Sequence, residues 1–336
     1  MMRYGQTGLA VMALLGAGVA PALAQQVNLG DFTPDTARIL GDPAYLPLQG
    51  QIYGSAGYSN TQNSYDFHNE TVTDHWSRSS NDFLPYLAYG LTDDLSVNAQ
   101  LDWGNLSTVN DFTRTSGARG RRTYYSLGAD NPSFGATWRA IDQRVAPVNV
   151  DFSVNYAPDV FALRSAGPNA TTGSIAEGGQ NASVTGAVSR ETRFLTVRGY
   201  ATYGYAGRRD VIVPGGTTTE REGAHPSYAA GVQTEMRILP FVALNSGFAI
   251  SHAVQYDEQA IVQGSTGSYS TQRPGTVVSP YVGFVFPLVG DRVVGELNYQ
   301  HDFNNGGKVD YEYGGVGANA ADGSDIYTVR VRFVLF

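Results

Sequence analysis

Segments with a strict period of two recur along most of the chain. In residues 95–103, apolar side chains alternate with Ser, Asn, Gln and Asp, and residues 148–156 repeat this pattern. Successive side chains of an extended strand point to opposite faces, so such a segment predicts a strand with one apolar and one polar face. We predict twelve of these strands, at approximately residues 51–59, 83–90, 95–103, 133–141, 148–156, 182–189, 195–205, 228–238, 242–252, 277–286, 293–300 and 325–336.

The connections between these strands alternate between short and long. The five links after the second, fourth, sixth, eighth and tenth strands have roughly two to seven residues, whereas the other six have about 20 to 30 and are rich in Gly, Ser, Thr, Asn and Asp. Outer-membrane barrels show this asymmetry, with short turns in the periplasm and long loops outside. We therefore predict an all-β fold, a closed antiparallel transmembrane β-barrel of 12 strands, with 10 or 14 as the alternatives.

The composition agrees with this class of fold. The sequence has 40 Gly and 21 Tyr, and after residue 24 no apolar run reaches the roughly 18 residues that a membrane-spanning helix needs. Lipid offers no hydrogen-bond partner to the backbone, and a closed barrel pairs its backbone groups without leaving a free edge. The absence of cysteine excludes disulfides and zinc–thiolate sites, and the formal charge of −8 argues against a nucleic-acid partner.

The N-terminus has the features of a secretory signal peptide. Arg3 precedes an apolar stretch, and Ala22 and Ala24 frame a cleavage site. We expect residues 1–24 to be removed, residues 25–49 to form a periplasmic lead-in, and residues 50–336 to form the barrel. The lead-in contains a candidate for one or two helical turns near residues 33–40, and it either rests at the barrel mouth or is a flexible leader. The expected location is the outer membrane of a Gram-negative bacterium.

Three stretches resemble a known family. They are Gly-Leu-Thr-Asp-Asp-Leu-Ser-Val at residues 90–97, Asn-Pro-Ser-Phe-Gly-Ala-Thr-Trp-Arg at residues 131–139, and the terminal strand. Together they resemble the MetA-pathway phenol-degradation outer-membrane proteins, a family of outer-membrane transporters, although Asn131 stands where an Asp would be more usual. The resemblance implies a barrel that passes small, apolar or aromatic molecules across the outer membrane.

The terminal strand ends on an aromatic residue, as in outer-membrane barrels, where that residue is part of the assembly signal. This implies the barrel-assembly machinery as a partner. Tyr327, Val329 and Val331 share one face, but Phe336 is out of phase with them. Either a bulge near Phe333 resets the register, or the two arginines between these residues face the lumen and Phe336 turns inward at the periplasmic rim. We favour the second interpretation.

The predicted registers place nine charged side chains on the lumen face. They are Asp102, Arg139, Asp151, Arg198, Glu235, Arg237, Glu296, Arg330 and Arg332. Four acids and five arginines in a narrow barrel either pair with one another and fill the lumen, or form a ladder that orients polar solutes. Both interpretations remain open at the sequence level.

The histidines suggest a metal site and a hydrolytic site, and we favour neither. His68 and His75 lie near Asp66, Glu70 and Asp74, a set that could bind a divalent ion but lacks a repeated ligand spacing. His252 and His301 follow the outer ends of strands and neighbour Ser251 and Asp302. Adjacent residues of a strand point to opposite faces, so Ser251 and His252 cannot form a nucleophile–base pair in a regular strand.

The sequence thus favours a channel or transporter for small solutes, without catalysis, metal or cofactor. The expected partners are the solute, outer-membrane lipid and lipopolysaccharide. Two alternatives remain: a non-conducting surface barrel whose loops bind ligands or lipopolysaccharide, and an outer-membrane hydrolase.

Overall fold

The computed structural model describes residues 43–161, 173–176, 178–192, 194–212, 218–239, 241–262, 267–289, 292–312, 315–319 and 322–335. The predicted signal peptide, at residues 1–24, and the candidate helical turns at residues 33–40 lie outside these ranges. No helix in the described part of the chain is long and apolar enough to cross a membrane. The described secondary structure consists of strands.

The strands form one sheet that closes on itself. In chain order they are β1 (Ile52–His68), β2 (Val72–Thr92), β3 (Leu95–Gln100), β4 (Trp103–Arg114), β5 (Arg119–Ala129), β6 (Ser133–Ile141), β7 (Asn149–Ala157), β8 (Gly173–Ser174), β9 (Asn181–Glu191), β10 (Leu195–Ala206), β11 (Arg209–Ile212), β12 (Thr218–Glu222), β13 (His225–Leu239), β14 (Val242–Ala253), β15 (Tyr256–Val262), β16 (Tyr269–Arg273), β17 (Thr276–Val289), β18 (Val293–Asn304), β19 (Lys308–Tyr311), β20 (Val316–Asn319) and β21 (Asp322–Leu335).

The barrel wall has twelve antiparallel strands, as predicted. Each of them is called here a stave, and two of them consist of two consecutive strand segments. β3 with β4 forms the third stave and β5 with β6 forms the fourth, while β1, β2, β7, β9, β10, β13, β14, β17, β18 and β21 are single staves. The first stave closes the barrel on the last, from the pair Ile52–Leu335 to the pair Ser64–Gly323, without a register shift. Closure leaves no unpaired edge between the first and last staves.

The two ends of the barrel differ. At one end, called here the turn end, five short turns join the staves and both chain termini enter. At the other end the strands extend into a rim, made of β11, β12, β15, β16, β19 and β20 together with the outer ends of β1, β2, β4 and β5. The predicted strand bounds agree closely with the structure at the turn end, where for example β3, β10, β14 and β18 begin at the predicted residues.

At the rim the predicted bounds were wrong. Residues 60–82 were predicted to be largely loop, yet β1 continues to His68 and β2 begins at Val72, so the turn between them has three residues. The polar composition hid these strands, because outside lipid neither face of a strand has to be apolar. The rim strands also pair with one another, β12 with β15, β15 with β16, and β16 with β19.

An apolar belt surrounds the barrel on its outer face. Exposed Leu, Val, Ile and Phe side chains occupy alternate positions of most staves, as at Val329 and Val331 of β21. Toward the rim the belt ends in aromatic residues, and the exposed Tyr58, Phe83 and Trp103 are direct cross-strand neighbours. Such an aromatic girdle marks the level of the lipid headgroups. The belt identifies this part of the outer face as the lipid-facing surface.

Besides four register shifts near the turn end, two gaps interrupt the pairing of the wall. Pro280 was predicted to cause a bulge or a local opening, and the structure has the opening: Ser279 and Pro280 pair with β14 but not with β18, and the register does not shift. A proline cannot donate a ladder hydrogen bond, which accounts for the gap. The second interruption separates β3 from β4 and β5 from β6, around Asp102 and residues 130–132.

Candidate functional site: the barrel interior

The terminal strand has the register that we favoured. Arg330, Arg332 and Val334 alternate with the outward-facing Val331 and Leu335, and Val334 is buried. No bulge occurs along β21, since its ladder with β1 continues to Leu335 in one register. The predicted inward turn of Phe336 lies outside the described residues. The alternation therefore places both arginines inside the barrel.

Glu296 neutralises these arginines at the turn end. Arg332 Nε donates to Glu296 Oε2 at 2.6 Å, and Arg332 Nη2 contacts the same oxygen. Arg332 Nη1 also donates to the hydroxyl of Tyr53 at 3.2 Å, while Arg330 Nη1 lies 3.9 Å from Glu296 Oε2. Glu296 and Arg332 are fully buried. Removing either partner of such a pair would leave the other charge buried without compensation, so Glu296 and Arg332 depend on each other.

A second buried ion pair lies on β6 and β7. Arg139 Nε donates to Asp151 Oδ1 at 2.9 Å, and both side chains are 2% exposed. Arg139 Nη2 donates in addition to the backbone carbonyl of Ala44 at 2.8 Å. Ala44 belongs to the chain before the first strand. Arg139 thus joins the barrel wall to the residues that precede it.

The residues before β1 enter the barrel. Residues 43–48, called here the N-terminal segment, are largely buried, and Ala44, Tyr45 and Leu46 are at most 2% exposed. The ring of Tyr45 lies 4.9 Å from that of Tyr53, and it packs in one cluster with Ala88, Ala243, Val285, Val294 and Val334. These partners lie near the turn-end termini of five staves. The N-terminal segment therefore occupies the interior of the barrel at its turn end.

The other predicted lumen charges also face inward. Arg198 is buried and its Nη1 donates to Gln233 Oε1 at 3.0 Å. Glu235 is buried on β13, and Arg237 is half-buried on the same face, two residues nearer the turn end. Asp102 lies half-buried at the interruption between β3 and β4, where it accepts a hydrogen bond from Gln100. The structure brings Arg330, Arg332 and Glu296 together, and Arg139 with Asp151, but not all nine.

One part of the inner wall is less tightly packed than the rest. On β2, β18 and β21, a polar strip of inward side chains is only half-buried, whereas the inward residues of β10 and β14 are mostly buried. The polar strip consists of Ser80, Asp82, Asn298, Gln300, Thr328 and Arg330. Half-buried polar groups inside a barrel remain available to hydrogen-bond a solute. The pattern predicted most of these residues to be inward but could not distinguish packed from accessible positions.

The rim contains a buried acidic group that the sequence analysis missed. Glu220, Glu222 and Glu258, called here the glutamate cluster, are at most 2% exposed, and Glu222 stands directly opposite Glu258. Arg209 Nε donates to Glu222 Oε2 at 2.6 Å, and Gln272 donates to Glu258 Oε2 at 3.0 Å. Burial, followed by the neighbouring glutamates, raises the pKa of Glu220 and of Glu258 well above the usual range. The alternation within β12 could have indicated this cluster, but the prediction places these residues in a loop.

Inward-facing aromatic rings also lie in the rim. Tyr65, Trp76 and Tyr124, called here the aromatic cluster, are buried on neighbouring strands. The rings of Tyr65 and Trp76 are stacked, with centroids 6.2 Å apart and planes 10° apart. The three rings are almost fully buried and pack against one another in the outer part of the interior.

The histidines do not form a recognisable metal or hydrolytic site. The described residues contain no group of three or more His, Cys, Asp or Glu placed to hold a metal ion. His75 Nδ1 lies 2.7 Å from Asp66 Oδ1 on the outer face of the first two strands. Ser251 is buried inside the barrel whereas His252 is exposed outside, so the two side chains point apart as the alternation requires.

The barrel is similar to known outer-membrane barrels in three dimensions. No protein-family profile and no curated protein matches the chain. The COG4313 outer membrane channel from Pseudomonas putida F1 is similar over 92% of this chain and 100% of that chain, with a TM-score of 0.54 at 13% identity. The transport unit of the autotransporter AIDA-I from Escherichia coli covers 95% of this chain and 97% of its own, with a TM-score of 0.48 at 7% identity. The first of these similarities confirms the predicted fold class.

Proposed function

We propose that this barrel is an outer-membrane channel for small solutes whose N-terminal segment controls passage at the turn end. The observation that carries the proposal is the position of that segment inside a closed barrel, held by Arg139 and Tyr53. The turn end faces the periplasm in this proposal, because both termini enter there, as in outer-membrane barrels. The similar structure from Pseudomonas putida F1 is that of an outer membrane channel, which supports the proposal.

The interior supports a solute that combines an aromatic ring with a hydrogen-bonding group. The aromatic cluster lies toward the rim, and the polar strip continues the inner wall toward the turn end. A ring can enter between the rings of the aromatic cluster while a hydroxyl or carboxylate binds donors and acceptors of the polar strip. The resemblance to the phenol-degradation family agrees with such a solute. The inward charges contribute in two ways: the buried ones stabilise the wall, and Arg330 and Asp82 contact the solute.

Conductance measurements test the proposal. The mature chain and a variant lacking residues 25–48, expressed behind the unchanged signal peptide, are reconstituted in planar bilayers and in liposomes. We expect the deletion to increase conductance and solute-driven swelling several-fold, because it removes the segment that fills the turn end. An absence of channel activity from both proteins would refute the proposal and favour a non-conducting surface barrel. Folding of each protein is checked by the shift in gel mobility on heating.

Location and assembly belong to the same proposal. The chain is exported, inserted through the barrel-assembly machinery by way of its closing strand, and surrounded by outer-membrane lipid and lipopolysaccharide. The aromatic girdle at the rim side of the apolar belt supports this placement. Fractionation of the membranes of a Gram-negative host tests it, and recovery of the folded chain in the inner membrane or the periplasm would contradict it.

A further inference from the structure

The hairpin of β4 and β5 ends in a cluster of arginines in an otherwise acidic chain. Arg114, Arg119, Arg121 and Arg122 fall around a single turn, whereas the whole sequence carries a formal charge of −8. Asp111 is the only acid between residues 111 and 122, so this stretch has a formal charge of +3, from four arginines and one aspartate. All four arginines are exposed. The rim thus has one strongly basic projection.

The four arginines are divided between the two faces of the hairpin. Arg119 and Arg121 share the outer face with Asp111, and Arg121 donates to both oxygens of Asp111 at 2.7 and 2.8 Å. Arg114 and Arg122 share the inner face with Phe112, and their guanidinium carbons lie 5.7 and 4.9 Å from its ring centroid. Each face therefore carries two guanidinium groups.

The charges at this tip are incompletely neutralised. Within the described part of the chain, no carboxylate lies within 4 Å of Arg119, and the same holds for Arg114 and Arg122. A guanidinium group forms two parallel hydrogen bonds with a phosphate, so exposed arginines of this kind match phosphorylated ligands. The outer face of the hairpin looks away from the barrel, toward molecules beside it in the membrane plane.

The height of the hairpin tip above the aromatic girdle indicates which of those molecules it can contact. Trp103 belongs to the aromatic girdle, and Asp111 is eight residues farther along β4. At about 3.3 Å per residue this is about 26 Å of strand, or about 20 Å above the girdle for a tilt of about 40°. Phosphates of a lipid headgroup lie at the level of the girdle itself. The tip is level instead with the saccharide layer of an outer-leaflet glycolipid.

We propose that the outer face of the β4–β5 hairpin, through Arg119 and Arg121, binds phosphate groups on the core saccharide of lipopolysaccharide. The inference rests on the outer-membrane placement in the proposed function. The inner-face pair, Arg114 and Arg122, lies over Phe112 at the mouth of the barrel and does not take part in this contact. The neighbouring β1–β2 hairpin carries three acids at the same height, Asp66, Glu70 and Asp74, so the basic charge is confined to the β4–β5 hairpin.

The experiment compares two charge-matched variants. The mature chain in non-ionic detergent is titrated with lipopolysaccharide that has a phosphorylated core, and binding is followed by calorimetry at low and at high salt. Arg119→Gln/Arg121→Gln removes the outer pair, and Arg114→Gln/Arg122→Gln removes the same charge from the inner face. A third variant, Asp111→Asn/Arg119→Gln/Arg121→Gln, avoids leaving Asp111 unpaired. The heat-induced gel shift verifies that each variant is folded.

We expect the two outer-face variants to bind about tenfold more weakly and the inner-face variant to lose less than about threefold, at low salt. Lipid A alone, or lipopolysaccharide without core phosphates, should bind the unchanged protein as weakly as the outer-face variants bind the intact glycolipid. Equal losses in the inner and outer variants, or undiminished binding of lipid A, would overturn the inference. The proposed channel is tested separately, since conductance depends on residues 25–48 and not on this hairpin.

Discussion

Buried acidic side chains have different neighbours at the turn end and in the rim of this barrel. At the turn end two buried acids have guanidinium partners, Glu296 with Arg332 and Asp151 with Arg139. In the described part of the rim, Arg209 pairs with Glu222, while Glu220 and Glu258 are crowded by neighbouring glutamates. Paired charges hold a structure in one arrangement, whereas crowded like charges favour its opening when they ionise. The turn end is therefore built to stay closed, and the rim is the end whose structure depends on pH.

The largest expected effect is a loss of unfolding free energy when a buried ion pair at the turn end is broken. Glu296→Ala leaves Arg332 buried without its carboxylate and removes the nearest acid from Arg330. Loss of one partner of a buried ion pair costs about 3–5 kcal/mol of unfolding free energy. Urea unfolding in detergent, followed by tryptophan fluorescence, measures the cost.

Asp142→Asn is the control for this prediction. Asp142 pairs with the exposed Arg144 at a turn of the same barrel end. Because the Arg144 side chain is 44% exposed, solvent screens this pair more than the buried one, and we expect a contribution of about 0–1 kcal/mol. Equal losses in the two variants would mean that burial does not distinguish these pairs.

The second expected effect is a higher channel open probability when the N-terminal segment loses its hydrogen bond to the wall. Arg139→Gln/Asp151→Asn removes the donor to Ala44 without leaving an uncompensated charge in the wall. We expect a several-fold rise in channel open probability, because the segment loses a charge-assisted hydrogen bond. The chain has no cysteine, so a single Ala44→Cys reports directly on access, and its maleimide labelling should accelerate in the double variant.

Arg198→Gln is the matched control for that experiment. Arg198 is as deeply buried as Arg139 and donates to Gln233 in the wall. Its loss should leave the labelling rate of Ala44→Cys unchanged. If Arg198→Gln accelerates labelling as much as the double variant does, the segment is not held by Arg139 in particular.

These residues also show what the sequence could and could not predict. Alternation with a period of two determines which face a side chain occupies, so the nine charges could be assigned to one face from the sequence. Alternation carries no information on which strand lies opposite, so the contact of Arg332 with Tyr53, from opposite ends of the chain, was not predictable. The N-terminal segment has no alternation at all, and its position depends on closure of the barrel.

The third effect is a pH dependence confined to the rim. Since the pKa values of Glu220 and Glu258 are raised in the folded state, the unfolded state holds fewer protons than the native one above the ordinary glutamate pKa. Stability of the rim is therefore greatest below that ordinary pKa and falls as pH rises through the raised values. Hydrogen-exchange protection of β12 and β15 should decrease over the same range.

Glu258→Gln sharpens the pH test. It removes one member of the Glu222–Glu258 pair, while Arg209 continues to neutralise Glu222. The pH dependence of protection in β12 and β15 should decrease to the part that Glu220 contributes. Asp257→Asn, on the exposed outer face of the same strand, should leave it unchanged. A pH dependence as large in Glu258→Gln as in the unchanged protein would show that Glu258 is not its origin.

The smallest expected effect is on solute uptake. It distinguishes the aromatic rings inside the rim from those that face lipid. Trp76→Phe and Trp138→Phe are the same substitution, and each indole has a stacked aromatic partner with a ring centroid 6.2 Å away. Trp76 is buried inside the barrel, whereas Trp138 is 53% exposed on the lipid face. Because a smaller ring offers less stacking area to a solute, Trp76→Phe should lower the uptake of an aromatic solute by liposomes about twofold to threefold. Trp138→Phe should leave uptake unchanged, and equal effects from both would show that the aromatic cluster does not contact the solute.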